Sequence, residues 1–151
     1  MKIGGVVVTP CEELLVLPRP EGAIPFRAKA VSINDEFDAK VPMPTPPKMQ
    51  VKGGKFKEDY GDKNYLQAVD LRNSQRFAFM CIKSLEPSEI EWSTVDLNKP
   101  ATWGNWTKDL MEAGISEVEI GRIINLVMVA NSLDEKKIEE ARKLFLLGQD
   151  Q

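Results

Sequence analysis

A cluster of prolines near the end of the first third divides this chain into two parts with different folding signals. Residues 42–47 contain four prolines, which exclude a helix or an interior strand because proline fixes φ and lacks a backbone N–H. Residues 48–62 are rich in Lys, Gly and Asp, and they predict either a mobile loop or the tip of a long hairpin. We therefore interpret residues 41–62 as a flexible connector. It joins a small β-rich subdomain, residues 1–40, to a helical subdomain, residues 63–151.

Turn signals and alternating side chains predict a small antiparallel sheet before the prolines. Gly4-Gly5 lies between two short apolar runs, a pattern typical of a tight hairpin turn. Residues 14–17 form a second candidate strand, and a turn-rich stretch with two prolines and a glycine follows it. Residues 24–30 alternate between apolar and basic side chains, which predicts a strand with one buried face and one solvated face.

Two clear signals for helix starts occur in the second half. Ser116 and Glu119 have the spacing of a capping box, in which each side chain bonds the other residue's backbone N–H. Asp134 is a candidate cap for a last helix, with Leu133 and Ile138 spaced as a hydrophobic staple. Each helix carries an apolar stripe at helical spacing. The first stripe is Ile120, Ile123, Ile124, Val127 and Met128, and the second is Ile138, Ala141, Leu144 and Phe145.

The link between these two helices is short, which favours an αα-hairpin in which the two stripes bury each other. The predicted fold class is therefore α+β. A small antiparallel N-terminal sheet is followed by a mainly helical C-terminal half that ends in an αα-hairpin.

The composition leaves little for catalysis. The chain has no histidine, and its two cysteines, Cys11 and Cys81, form no CxxC pair. Ser-His and Cys-His pairs and the usual zinc ligand sets are therefore excluded, and we predict no catalytic residue, cofactor or metal site. The remaining enzymatic alternative is a carboxylate site. For acid–base work the candidates are Glu86, Glu89 and Glu91. For a divalent metal, the acidic clusters that could supply oxygens are Asp35, Glu36 and Asp38, and Glu58, Asp59 and Asp62.

Charge and hydropathy limit the classes of partner that this chain is expected to bind. A formal net charge of −3 and a pI near 5.2 argue against a nucleic-acid partner, because such proteins usually present a basic face. No apolar run approaches the ~20 residues that span a bilayer, so no membrane partner is expected. Two well-separated cysteines are typical of a reducing, cytosolic compartment.

Aromatic and methionine side chains in the helical half are the candidates for binding another protein. Trp103 and Trp106 are three residues apart and would share one face of a helix. Tryptophan is enriched at binding hot spots, and methionine adapts to irregular apolar partners. We therefore predict a partner-binding surface with Trp103, Trp106, Met111 and Met128. Packing of both tryptophans in a core or between elements is the competing interpretation, and it is the more frequent role of such a pair.

The layout of the whole chain resembles that of a known family. The segments that carry the resemblance are MKIGG, EELLVLPRP, IPFRAKAV, VPMPTPP, FMCIKSLEPSEIEW, PATWGNW, LMEAGISEVEIGRII and ANSLDEKKIEEARKLFLLGQ. In this order they are similar to the small tail-assembly chaperones of long-tailed, siphovirus-like bacteriophages. Members of that family pair a small N-terminal α/β part with helices.

The resemblance implies a non-enzymatic factor in the host cytoplasm. Such a factor coats the apolar tape-measure protein and recruits tail-tube subunits, and it is absent from the finished virion. The expected partners are therefore the tape-measure protein and the tail-tube protein, with a second copy of this chain as a further candidate. The alternative is a structural virion component, such as a tail or head–tail completion protein.

Overall fold

The computed structural model describes residues 1–132 and 135–149, and these contain short antiparallel hairpins followed by helices. The predicted α+β fold class is confirmed. The strands of the described chain are β1 (Lys2–Ile3), β2 (Val6–Val7), β3 (Glu12–Leu17), β4 (Ile24–Lys29), β5 (Lys48–Gln50) and β6 (Phe56–Glu58). Its α-helices are α1 (Asn34–Lys40), α2 (Lys63–Ser84), α3 (Trp106–Glu112), α4 (Glu117–Ser132) and α5 (Glu135–Gln149), and two 3-10 helices span Glu86–Ser88 and Pro100–Asn105.

Each strand pairs with its sequence neighbour, so the described sheets are three separate two-stranded hairpins. The β1–β2 turn is formed by Gly4 and Gly5, both at positive φ, as the Gly-Gly signal predicts. The β5–β6 hairpin lies within the predicted connector, which corresponds to the hairpin-tip alternative for residues 48–62.

The chain divides into two compact units, each of which draws on both halves of the sequence. The first unit comprises Met1–Val31, Lys83–Glu91 and Leu110–Gln151. The second unit comprises Ser32–Ile82 and Trp92–Asp109.

The core of the first unit lies between the β3–β4 hairpin and α4. Alternation along β4 buries Phe26 and Ala28, and Leu17 on β3 joins them. Helix α4 begins at the predicted capping box, since the Ser116 N–H donates to Glu119 Oε1 at 3.1 Å and the Glu119 N–H donates to Ser116 Oγ at 3.2 Å. Its buried residues are Ile120, Ile123, Leu126, Val127 and Ala130.

The prediction that the apolar stripes of α4 and α5 bury each other is wrong for α5. Helix α4 covers the β3–β4 hairpin, whereas every residue of α5 is exposed. A helical period shows which side of a helix is apolar but not which element covers it. The predicted cap Asp134 and staple residue Leu133 lie outside the described residues.

The core of the second unit is aromatic. Phe37 from α1, Phe79 from α2 and Trp103 from a 3-10 helix are fully buried and pack together, with ring centroids 4.5–6.1 Å apart. The guanidinium carbon of Arg72 lies 4.8 Å from the centroid of the Phe37 ring, and its Nη2 donates to Asp38 Oδ1 at 2.6 Å. The charged Arg72 side chain therefore closes one side of the aromatic cluster.

Within residues 1–132 and 135–149, no helix combines the length and the apolar character that crossing a bilayer requires.

Candidate functional site

The most distinctive surface of the first unit is the apolar face of α5, which we call the α5 stripe: Ile138, Ala141, Leu144 and Phe145. All four residues are exposed, and the three large side chains keep 49%, 71% and 65% of their accessible surface. At 100° per residue, the four positions fall within an arc of about 120° along one side of the helix. An apolar arc of this width normally faces a core, so its exposure makes the α5 stripe a candidate binding surface.

Charged residues occupy most of the rest of α5. Glu135 lies in its first turn, where a carboxylate interacts favourably with the helix dipole. Arg142 and Glu139 form an ion pair at 3.6 Å across one turn. Lys137 forms an ion pair with Glu13 on β3, which connects the start of α5 to the sheet. Both ion pairs involve charged side chains that lie outside the α5 stripe.

The four predicted partner-binding residues do not form one surface. Trp103 is fully buried and Trp106 is 4% exposed, both within the second unit. Met111 on α3 and Met128 on α4 are exposed and belong to the first unit. The burial of the tryptophans matches the packing alternative, so a partner could contact Trp103 only if that side chain left its core. Partner binding at these four residues stays a prediction.

A buried carboxylate holds the segment that leads to Trp103. Asp109 is 5% exposed, and its oxygens accept hydrogen bonds from the Thr94 N–H at 2.9 Å, the Thr94 hydroxyl at 2.7 Å and the Val95 N–H at 3.1 Å. Burial raises the pKa of Asp109, but the hydrogen bonds from Thr94, Val95 and Ser93 outweigh it, and the pKa falls below its usual value. The carboxylate is therefore charged and fully engaged, which fits a structural role.

Of the glutamates proposed for acid–base work, Glu86 is held by two lysines. Glu86 lies 2.7 Å from Lys83 Nζ and 3.4 Å from Lys29 Nζ. Burial raises the pKa of Glu86, and the two lysines outweigh that effect, so the pKa is lowered. A general acid or base at neutral pH needs a raised carboxyl pKa, which is the opposite direction. Among the residues described, no group of three or more His, Cys, Asp or Glu side chains could hold a metal ion.

The proline-rich segment borders an open groove in the second unit. Residues 44–47 form one wall, and the first turns of α2, including Tyr65, form the other, enclosing about 480 Å³. Residues 42–47 form neither helix nor strand, as the four prolines predict. The lining of the groove offers proline rings, one tyrosine and the carboxylate of Asp62, which caps α2 through the Tyr65 N–H at 2.9 Å. Thr45 and Asn64 add two further polar side chains to the lining of the groove.

Comparison of the chain with protein-family models, with curated proteins and with solved structures finds no match. The function therefore has to be argued from the chain's own residues. The α5 stripe is the feature that sequence reasoning assigned to the wrong environment. Its residues were recognised as apolar and placed in a hairpin core, and no sequence signal distinguishes that arrangement from an exposed face.

Proposed function

We propose that this chain is a non-enzymatic tail-assembly chaperone of a long-tailed bacteriophage. It acts in the host cytoplasm, where it binds an apolar helix of the tape-measure protein through the α5 stripe and helps to recruit tail-tube subunits. The observation that carries the proposal is an ordered amphipathic helix whose whole apolar face is exposed. The resemblance of the sequence layout to that family supplies the identity of the partner.

An exposed amphipathic helix suits a partner that is itself helical. Two such helices bury their stripes by packing side by side, in the manner of knobs and holes. Full burial of a Leu, Ile or Phe side chain contributes about 1.5–3 kcal/mol. Since the three large residues of the α5 stripe still expose about half to two thirds of their surface, covering them would contribute about 3–5 kcal/mol. This energy permits reversible binding of each copy, which a factor that must later leave the tail requires.

The first experiment is co-expression with the tape-measure protein of the same phage genome, followed by affinity capture and size-exclusion chromatography with light scattering. We expect a complex with many copies of this chain on one tape-measure chain that is otherwise insoluble. Recovery of the tape measure in the pellet, with this chain unbound, would overturn the proposal.

Two variants of α5 make the test specific. Phe145→Asp introduces a charge into the α5 stripe, and Leu147→Asp introduces the same charge about 160° away from Phe145 around the helix, outside the arc of the stripe. The two side chains are almost equally exposed, at 65% and 62%, so both variants should fold with thermal stability close to that of the parent. We expect Phe145→Asp to weaken tape-measure binding at least tenfold and Leu147→Asp to leave it nearly unchanged. Equal loss in both variants would show that the α5 stripe is not the contact.

The alternative function is a structural virion component, such as a tail or head–tail completion protein. An exposed apolar helix also suits a permanent subunit contact. Mass spectrometry of purified virions separates the two functions, because a chaperone is absent from them and a structural component is present in a fixed stoichiometry.

A further inference from the structure

The outer edge of β4 is closed by side chains of the first unit. The backbone of Arg27 is bonded twice by Ser88, whose hydroxyl accepts from the Arg27 N–H and donates to the Arg27 carbonyl, both at 2.7 Å. The carbonyl of Lys29 accepts from the Ser84 hydroxyl at 2.7 Å. Pro25, the remaining outward residue, has no N–H to offer. Another strand therefore cannot add to this edge.

The outer edge of β3 is open. The Ala30 N–H donates to the Cys11 carbonyl at 2.8 Å, so the odd-numbered residues of β3 bond β4 and the even-numbered ones face away from it. The outward groups belong to Glu12, Leu14 and Val16. In the described part of the chain, no hydrogen bond reaches their backbone N–H or C=O groups. The side chains of Leu14 and Val16 are 53% and 50% exposed. An apolar strand with a free edge is a template for pairing with another strand.

We propose that the open edge of β3 binds the β3 edge of a second copy of this chain, in antiparallel orientation, to form a four-stranded sheet across a two-fold axis. This surface is distinct from the α5 stripe, and the inference does not depend on the proposed chaperone function.

The sequence of β3 is self-complementary in this orientation. A two-fold axis at Leu14 places Leu14 opposite its own symmetry mate and Glu12 opposite Val16 of the second copy. Each of these three residues points its N–H and C=O away from β4. The register therefore pairs three positions with two hydrogen bonds each, about six inter-chain hydrogen bonds in all. It also places Glu13 opposite Leu15 of the second copy, so that no glutamate faces another glutamate directly. The apolar residues meet at the centre and the acidic ones lie towards the ends.

The closed edge of β4 determines the size of the assembly. Because β4 cannot accept a further strand, the pairing uses the same edge on both copies and closes as a dimer. An open apolar edge at both sides of the hairpin would instead extend into a fibre.

The experiment combines oligomeric state with amide exchange. Sedimentation and NMR hydrogen exchange of the full chain are measured over a concentration series. We expect a monomer–dimer equilibrium in which the amides of Leu14 and Val16 exchange more slowly as the dimer forms. The amide of Leu15, which bonds β4, should be protected at every concentration. A monomer throughout, or a dimer whose Leu14 and Val16 amides still exchange fast, would overturn the proposal. Protection of those amides only when another protein is added would identify a different occupant and would overturn it as well.

A matched pair of variants tests the same edge. Leu14→Pro removes an N–H that β4 does not use, so the β3–β4 hairpin should persist. Leu14→Thr shortens the same side chain and keeps the N–H. We expect Leu14→Pro to raise the dimer Kd about tenfold to hundredfold, because both symmetry-related bonds at Leu14 are lost, and to raise it clearly more than Leu14→Thr does. Equal dimer affinity in the two variants would overturn the proposal. Should Leu14→Pro fail to fold, the exchange measurement on the parent chain decides alone.

Discussion

Trp103 is the residue whose replacement separates a core role from a partner-binding role. Its ring is fully buried against Phe37 and Phe79, and its Nε1 donates to the Asp96 carbonyl at 3.2 Å. Replacing a buried tryptophan with alanine leaves a cavity that costs about 3–5 kcal/mol, and loss of the aromatic contacts places this site towards the upper end of that range. Since a domain is stable by only about 5–15 kcal/mol, Trp103→Ala should remove a large share of the stability.

The assay is urea and thermal unfolding followed by far-UV circular dichroism, which does not depend on the tryptophan that is removed. At this chain length, a loss of 4–5 kcal/mol corresponds to a fall in Tm of about 10–20 °C. Trp92→Ala is the control, because Trp92 is only half-buried and should cost markedly less. If Trp103→Ala changed the stability by less than about 1 kcal/mol and still abolished binding to a partner, the core assignment would be refuted and Trp103 would be a binding residue.

Two further predictions concern ionisable groups of known environment. The Arg19 guanidinium bonds both carboxylate oxygens of Glu119, at 2.7 and 2.8 Å, and with the Ser116 N–H it lowers the pKa of Glu119 from 4.5 to about 2. This pair stabilises the folded protein fully above pH 4.5, and its contribution disappears as the pH falls towards 2. Because Glu119→Gln keeps the helix cap, the urea midpoints of parent and variant should differ at pH 7 and converge near pH 2. A difference that stays constant with pH would contradict the assignment. Burial raises the pKa of Cys81 to about 12. A thiol reagent should therefore modify the part-exposed Cys11 in the native protein and Cys81 only in urea. Equal modification rates of Cys11 and Cys81 in the native protein would show that Cys81 is accessible.

The local signals in the sequence were sufficient to place the elements of the first unit. Gly4-Gly5 set a hairpin turn because glycine accepts positive φ, and the Ser116–Glu119 spacing set the start of α4 because both side chains reach backbone N–H groups within one turn. These interactions close within a few residues, so the sequence alone determines them.

The partner of each apolar face could not be predicted in the same way. Helix α4 buries Leu126 and Ala130 rather than Met128, because the sheet contacts a slightly rotated arc of the helix. The β3–β4 hairpin already covers the apolar face of α4. Helix α5 therefore lacks the packing partner that the short connection between α4 and α5 suggested. Ser84 and Ser88, whose hydroxyls close the β4 edge, lie more than fifty positions along the sequence from the β4 residues they bond. No local sequence pattern predicts these contacts.

We expect the two proposed surfaces to be coupled through the ion pair between Glu13 and Lys137. In the β3–β3 register centred on Leu14, the two copies of Glu13 lie two residues apart along adjacent strands, about 8 Å from each other. Each Glu13 holds the first turns of one α5. A β3 dimer would therefore bring the starts of two α5 helices close together, and two stripes presented side by side bind a helical chain with avidity that one stripe lacks. Because linkage is reciprocal, tape-measure binding should in turn favour the dimer. In the free chain, however, the β3 edge and the α5 stripe are separate surfaces. Leu14→Pro should weaken tape-measure binding as well as dimerisation, whereas Phe145→Asp should weaken tape-measure binding and leave the dimer intact.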